Sequence, residues 1–158
     1  MSTAAPDAPG IDAATRRFEI VASKFNARFV DGLVNHAMNE LRALSPAAVM
    51  QLHHVPGAFE IPVVVRELAA QKNVDAVLAM GVIIRGSTAH ADHLATSVTN
   101  ALQQIALEYG VPVINAVLSL EDEEQANERC LGDRINRGVE AGRAAVDIAN
   151  VMSELRGK

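Results

Sequence analysis

A histidine and a hydroxyl-rich loop lie close together near the middle of the chain. Gly86, Ser87 and Thr88 follow an apolar run and precede a helical pattern, and His90 falls in the first turn of that helix. Backbone N–H groups, hydroxyls and the positive end of a helix dipole suit a phosphate, and an imidazole beside them suits proton transfer. The spacing matches neither GxGxxG nor GxxxxGK[ST], so we predict no dinucleotide or P-loop site. Thr88 serving only as a helix N-cap is the alternative.

Two of the four phenylalanines, Phe25 and Phe59, fall in predicted loops. Such a ring either covers the core or stacks on a planar ligand, and for a single ring the first role is the commoner one. The two together indicate a flat heteroaromatic ligand. Arg129 lies on a predicted helix after the fourth strand and has a guanidinium that suits the same anion, although most such arginines are surface residues.

Metal and disulfide chemistry have little support in the sequence. His90, Asp92 and His93 carry ligand-type side chains, but they lack the two-histidine i,i+4 spacing, and a third ligand is not evident. We therefore predict no metal. Cys130 is the single cysteine, so we expect a free buried thiol in a protein of the reducing cytoplasm.

Alternating strands and helices must position these residues. Hydrophobic patterning predicts four strands, at 18–23, 49–55, 74–84 and 111–118, with helices between them and a helical region from 121 to 155 that breaks at Gly132. Strands separated by helix-length segments imply right-handed crossovers and a parallel sheet. We therefore predict an α/β fold with a four-stranded parallel sheet and helices on both faces. Ligands bind such folds at the carboxyl ends of the strands, including the predicted loop at 119–121.

Length and composition indicate one soluble domain preceded by an arm. The chain has 158 residues, 49% of them hydrophobic, and a chain of this size buries roughly 70% of its unfolded surface. Residues 1–16 are polar and rich in proline, so we predict a flexible arm rather than a secretory signal, with the folded domain at 17–158. No stretch reaches the roughly 18 apolar residues of a membrane span. The 19 acidic against 14 basic residues argue against nucleic acid as a partner.

The loop motifs, taken together, resemble the 6,7-dimethyl-8-ribityllumazine synthase family of riboflavin biosynthesis. The similarity is in order, has family-like spacing and runs from about Arg17 to Leu155. The motifs are Phe-Asn at 25–26, Pro-Gly-Ala-Phe-Glu-Ile-Pro at 56–62, Gly-Val-Ile-Ile-Arg-Gly-Ser-Thr-Ala-His at 81–90 and Glu-Gln-Ala-Asn-Glu-Arg at 124–129. The resemblance implies a flavodoxin-like three-layer sandwich.

The resemblance also implies a reaction and a set of roles. A transferase of this family condenses 5-amino-6-(D-ribitylamino)uracil with 3,4-dihydroxy-2-butanone 4-phosphate to 6,7-dimethyl-8-ribityllumazine, phosphate and water, with no cofactor. His90 would relay protons, Phe25 would stack on the pyrimidine, and Glu60 would bind the ribityl hydroxyls. The remaining residues implied for the ring pocket are Asn26, Ala58, Phe59, Ile83 and Asn115. Those implied for the phosphate are Gly86, Ser87, Thr88 and Arg129.

The resemblance further implies a homo-oligomer with shared sites. The family forms pentamers, and many members assemble twelve pentamers into an icosahedral capsid. Asn115 and Arg129 would reach the pocket of the neighbouring subunit, and riboflavin synthase is a candidate partner. Asn115 departs from the aromatic residue often found at its position, and Arg137 replaces a frequent lysine. The short connection between Gly132 and Gly138 permits shell closure.

Two other classes of function stay open at this point. A non-catalytic paralogue that binds lumazines or flavins, or that serves as a shell protein, would be expected to lose His90 or Arg129, and both are present. A flavodoxin-like electron carrier would be expected to hold a flavin when isolated. The enzyme is the interpretation that the motifs favour.

Overall fold

The computed structural model describes residues 4–158 as a parallel sheet between two helical layers. The strands are β1 (Arg17–Ser23), β2 (Val49–Val55), β3 (Ala76–Ile84) and β4 (Val113–Leu120). The helices are α1 (Ala27–Leu44), α2 (Ile61–Ala70), α3 (His90–Tyr109), α4 (Glu123–Ala126) and α5 (Arg137–Leu155). All strand pairs are parallel, in the order β2-β1-β3-β4. The predicted α/β three-layer, flavodoxin-like fold is confirmed.

Alternation along the strands builds two separate cores. In β1, Phe18 and Ile20 face the layer of α1 and α5, whereas Val21 faces the layer of α2 and α3. The central strand β3 is buried along nearly its whole length, as expected for a parallel strand covered on both faces. The sheet is therefore a rigid platform whose strand ends carry the loops.

The fourth strand begins and ends two residues later than the sequence pattern predicts. Pro112 precedes the strand, and its carbonyl accepts a hydrogen bond from the Val77 N–H at 2.9 Å. At the other end, Ser119 and Leu120 pair with β3. The predicted loop at 119–121 is therefore wrong for these two residues, and the connection to α4 starts at Glu121.

The region from 121 to 155 is not one helix with a single break. The Asp122 carboxylate caps α4 by accepting a hydrogen bond from the Gln125 N–H at 2.9 Å. A π-helical turn, Asn127–Leu131, follows directly. Residues 132–136 are then non-helical, until the Asn136 side chain caps α5 by accepting from the Val139 N–H at 3.1 Å. The predicted break at Gly132 is therefore confirmed, but it extends from 132 to 136, and the helical region begins at Glu123 rather than at 121.

Residues 4–16 contain no helix or strand. The Asp12 N–H donates to the Leu44 carbonyl at 2.7 Å, and the Arg16 guanidinium binds both the Asp12 carboxylate and Asn150. Burial opposes ionisation of Asp12, but the hydrogen bonds from Arg16 and from the Ala14 N–H hold its pKa below the usual value. Residues 1–3 of the predicted arm lie outside the described residues. Between residues 4 and 158, none of the helices is both long and apolar enough to cross a membrane.

Candidate active site

A cavity of about 600 Å³ opens at the carboxyl ends of β1, β2 and β3. Its walls are mostly apolar with a few convergent polar groups, which is the composition of a small-molecule pocket. The residues that line it are Ser23, Phe25, Asn26, Gly57, Ala58, Phe59, Glu60, Val82, Ile83, Ile84, His90 and Leu94. The set predicted for the ring lies here apart from Asn115. Sequence reasoning did not assign Ser23, Val82, Ile84 or Leu94 to the site.

The loop after β1 presents Phe25 to the cavity. Its side chain is 72% exposed, so the ring does not cover the core. Asn26 adopts a left-handed conformation with φ 55°, which asparagine tolerates better than most residues. Its Nδ2 donates to the Val82 carbonyl at 2.7 Å. The turn is thereby fixed to β3, and the aromatic ring is held at the mouth of the sheet.

Gly57 lets the second loop approach the Phe25 ring closely. A Cβ at position 57 would lie 3.2 Å from a carbon of that ring and 3.1 Å from a Glu60 oxygen. The Gly57 N–H donates to Glu60 Oε2 at 2.9 Å, which closes the turn and orients the carboxylate. Phe59, in the 3₁₀ turn Ala58–Glu60, is 68% exposed. Two solvent-facing rings and a carboxylate therefore surround one opening.

The loop between β3 and α3 leads from the cavity to a helix N-terminus. Gly86, Ser87 and Thr88 are exposed, and His90 is the first residue of the 20-residue helix α3. Ala89 occupies the N-cap position without a side-chain cap bond, and the Thr88 hydroxyl accepts only a long 3.5 Å bond from the His90 N–H. Thr88 is therefore not the N-cap. The unsatisfied N–H groups of the first helical turn favour an anion.

Ion pairs hold this loop against the neighbouring connection. The Arg85 guanidinium contacts Asp92 at 2.7 Å and Glu121 at 3.4 Å, and the Arg85 N–H donates to the Leu120 carbonyl at 2.8 Å. The hydrogen bond with Asp92, aided by the charges of both carboxylates, raises the pKa of Arg85. The loop after β3 is thus tied to the end of β4.

Asn115 and Arg129 lie away from this cavity within the single chain. Asn115 is on β4 and lines a separate cavity of about 210 Å³ together with Arg137. Arg129 is in the π-helical turn and donates to Gln125 at 3.0 Å. The buried Nε of Arg129 and that of Arg137 have no hydrogen-bond partner among residues 4–158. Both guanidiniums therefore have donors that this chain alone does not satisfy.

The other candidate chemical groups are the metal-ligand side chains and the Cys130 thiol. Within the described part of the chain, no group of three or more His, Cys, Asp or Glu side chains is arranged to hold a metal ion. Cys130 is fully buried, and desolvation raises the pKa of its thiol to about 11 despite the nearby Arg129 charge. At neutral pH it is a protonated core side chain rather than a nucleophile.

The sequence is similar to those of several known proteins. A family model for 6,7-dimethyl-8-ribityllumazine synthase matches residues 15–153. A protein of that name from Corynebacterium glutamicum (strain R) is 42% identical over 153 residues, covering 96% of this chain and 91% of its own length. Its counterparts from Aquifex aeolicus (strain VF5) and Stenotrophomonas maltophilia (strain R551-3) are 41% and 40% identical, covering 89% and 88% of this chain and 92% and 90% of their own lengths. The chain belongs to the 6,7-dimethyl-8-ribityllumazine synthase family.

Proposed function

We propose that this protein is an enzyme that condenses 5-amino-6-(D-ribitylamino)uracil with 3,4-dihydroxy-2-butanone 4-phosphate to 6,7-dimethyl-8-ribityllumazine, phosphate and water. This is the penultimate step of riboflavin biosynthesis. The observation that carries the proposal is the gathering of Phe25, Phe59, Glu60 and His90 around one cavity beside the exposed loop 86–88. Membership in the family supports the same conclusion.

The residues that line the cavity support binding of the ring substrate there. Phe25 offers a solvent-facing ring for stacking on the planar pyrimidine. Ala58 and Ile83 supply apolar walls, and Asn26 and Phe59 complete the entrance. The Glu60 carboxylate has one oxygen bonded to the Gly57 N–H, which leaves the other oxygen to accept hydrogen bonds from ribityl hydroxyls.

The loop at 86–88 is the proposed phosphate site. Its exposed hydroxyls and the N-terminus of α3 offer donors to an anion. Arg129 of a neighbouring subunit is the proposed counter-charge, because its side chain is only half-buried and lies outside the cavity of its own chain. Phosphate binding would therefore bring the ketone to the mouth of the ring pocket, beside His90.

The chemical steps need proton transfers at one place. Attack of the 5-amino nitrogen on the ketone carbon forms a carbinolamine, and loss of water gives an imine. Removal of a carbon-bound proton then expels phosphate, and the ribitylamino nitrogen closes the second ring with loss of water. His90 lines the cavity at the start of α3, where its imidazole can accept and return these protons. No metal or organic cofactor takes part.

Most of the rate enhancement is assigned to positioning. An amine and a ketone condense slowly without any catalyst, so holding both in one cavity supplies much of what is needed. Orientation of this kind contributes up to about 7 to 11 kcal/mol, whereas a positioned acid or base adds about 10²- to 10⁴-fold. Catalysis therefore depends mainly on the two binding sites and less on His90.

The proposed assembly of this cytoplasmic enzyme is a pentamer with sites shared between subunits, and light scattering would distinguish it from a decamer or a shell of twelve pentamers. Asn115 and Arg129 lie outside the main cavity of their own chain, so they are assigned to the cavity of the next subunit. A test is to mix Phe25→Ala and Arg129→Ala subunits after mild dissociation. We expect activity to return as mixed oligomers form, since some interfaces then combine two intact halves. Unchanged low activity in verified mixed oligomers would contradict sharing.

Lumazine fluorescence tests the proposed reaction. Purified protein is mixed with the two substrates, and product formation and phosphate release are followed together. We expect both to rise in parallel and well above the rate without protein. A rate equal to the background would contradict the proposed function. Formation of a complex with riboflavin synthase, which would consume the product, can be examined in the same preparation.

A further inference from the structure

Ser23 is the last residue of β1, and the proposed function has so far given it no role. It lines the 600 Å³ cavity, yet it is only 2% exposed. Its hydroxyl has no hydrogen-bond partner among residues 4–158. The hydroxyl is not among the fully enclosed side-chain atoms that lack a partner, so its donor and its acceptor are open to a molecule in the cavity.

The other polar groups of the cavity are already partly engaged. The Asn26 amide donates to the Val82 carbonyl, and one Glu60 oxygen accepts from the Gly57 N–H. Both lie at the entrance loops, whereas Ser23 lies at the end of the sheet itself. The deep end of the cavity therefore has a hydroxyl with both its donor and its acceptor capacity unused.

Gly81 determines where this hydroxyl can be. A Cβ at position 81 would lie 3.1 Å from Ser23 Oγ and 3.3 Å from the Ile61 side chain. The missing side chain on β3 therefore makes the space in which the Ser23 side chain sits. The hydroxyl therefore lies beside the backbone of β3 and lines the cavity there.

We propose that Ser23 is a specificity-determining residue that hydrogen-bonds the polar edge of the heterocyclic ring, a carbonyl or ring N–H, at the deep end of the pocket. The inference rests on the proposed function and adds to it a hydrogen bond that distinguishes a ring edge with carbonyl or N–H groups from an apolar ring edge. Sites that hydrogen-bond a ligand reject analogues lacking the group, because the buried polar atom is then left unpaired.

A matched pair of serine variants tests this role. Ser45 is also buried, at 1% exposure, and its Oγ likewise lacks a partner in the described residues, but it does not line the cavity. Ser23→Ala and Ser45→Ala therefore each remove the hydroxyl of a buried serine, one that lines the cavity and one that does not. Each is compared with the wild-type oligomer by substrate kinetics, by thermal unfolding and by titration with the 5-nitro analogue of the ring substrate, which cannot condense.

We expect Ser23→Ala to raise the KM of the ring substrate and the Kd of the analogue about 3- to 10-fold, as for one lost hydrogen bond. The KM of the phosphorylated ketone and kcat should stay within about twofold, because the contact is uniform between ground and transition states. The Tm of the unliganded variant should be unchanged, because the hydroxyl has no hydrogen-bond partner to lose within the described residues. Ser45→Ala should leave ring binding unchanged.

Three results would overturn the inference. They are unchanged ring binding in Ser23→Ala, equal weakening in Ser45→Ala, or a loss of binding that is matched by a lower Tm without ligand. Failure of the proposed function looks different, because the wild-type protein would then neither bind the analogue nor form lumazine. The inference about Ser23 and the reaction are thus tested separately.

Discussion

At the residue scale, the site is formed by groups that the chain itself leaves unused. Phe25 and Phe59 expose most of their rings, and Arg129 Nε is buried without a partner within residues 4–158. Such groups lower the stability of the unliganded chain or add nothing to it. The proposed function accounts for the two exposed rings by ligand binding and for Arg129 by contact with a neighbouring subunit.

His90→Ala should slow the reaction without abolishing it. Since an acid or base adds about 10²- to 10⁴-fold and positioning is intact, we expect kcat to fall about 10²-fold and to remain above the uncatalysed rate. His93→Ala, on the exposed surface of the same helix, is the control and should have near wild-type kinetics. A His90→Ala rate at background would show that proton transfer, not positioning, dominates.

Because its thiol is buried, we expect Cys130 to make the folded protein less stable at alkaline pH. Burial raises its pKa from 9.0 to about 11, so the folded state holds the thiol proton more tightly than the unfolded state. This contribution is complete below pH 9 and is lost as the pH rises toward 11, with a slope of at most about 1.4 kcal/mol per pH unit. Denaturant unfolding of wild type and Cys130→Ala between pH 8 and pH 10.5 measures the difference. Equal slopes in the two proteins would contradict it.

Some of the site was evident from residue types, and some was not. Phe25 and His90 could be proposed for the site from their residue types and positions, whereas Glu60 was proposed only through the family resemblance. Ser23 and Leu94 were missed, because a serine at the end of a strand and a leucine on a helix are ordinary residues. Only the burial of Ser23 and its lack of a partner distinguish it, and both require the three-dimensional structure.

At the element scale, β1 contains a buried carboxylate that no pattern predicted. Glu19 is fully buried, and its two oxygens contact Arg17 at 2.8 Å and the His53 ring at 2.7 Å. Arg17 is on the same strand, and His53 is on the edge strand β2. A buried charge of this kind is tolerated only when its partners are present.

Replacing only the partner of Glu19 should lower the free energy of unfolding more than replacing Glu19 and that partner together. We expect Arg17→Met to lower the free energy of unfolding by about 2 to 4 kcal/mol, because the Glu19 charge then lacks its main partner. Adding Glu19→Leu should restore part of that loss, since an apolar side chain can fill the site. Urea unfolding of both variants makes the comparison. A double variant less stable than Arg17→Met would show that the carboxylate is needed for more than its pairing.

The strands were predicted well and the last third of the chain less well, for a physical reason. Buried strands are visible as apolar runs, and the predicted bounds of β2, 49–55, agree with the structure. The turn Asn127–Leu131 is instead shaped by contact with α1, where a Cβ at Gly32 would lie 2.8 Å from the Cys130 carbonyl. Such a tertiary approach leaves no trace in local hydrophobic periodicity.

At the scale of the whole molecule, the residues that stabilise the fold are different from those proposed to carry the chemistry. The two buried cores hold the sheet, and the loops at its carboxyl end supply the cavity. Asn115 and Arg137 lie at a second cavity on the β4 side. The proposed function requires the surface at this second cavity to meet the ring pocket of a neighbouring subunit.

A crystal structure of the oligomer with the 5-nitro ring analogue and inorganic phosphate tests the proposed shared site most directly. The account predicts the pyrimidine stacked on Phe25 and the phosphate bound by the backbone at 86–88, with Arg129 of the adjacent subunit within hydrogen-bond distance. If the analogue bound elsewhere, or if the phosphate lay far from both the loop and every Arg129, the account would be contradicted.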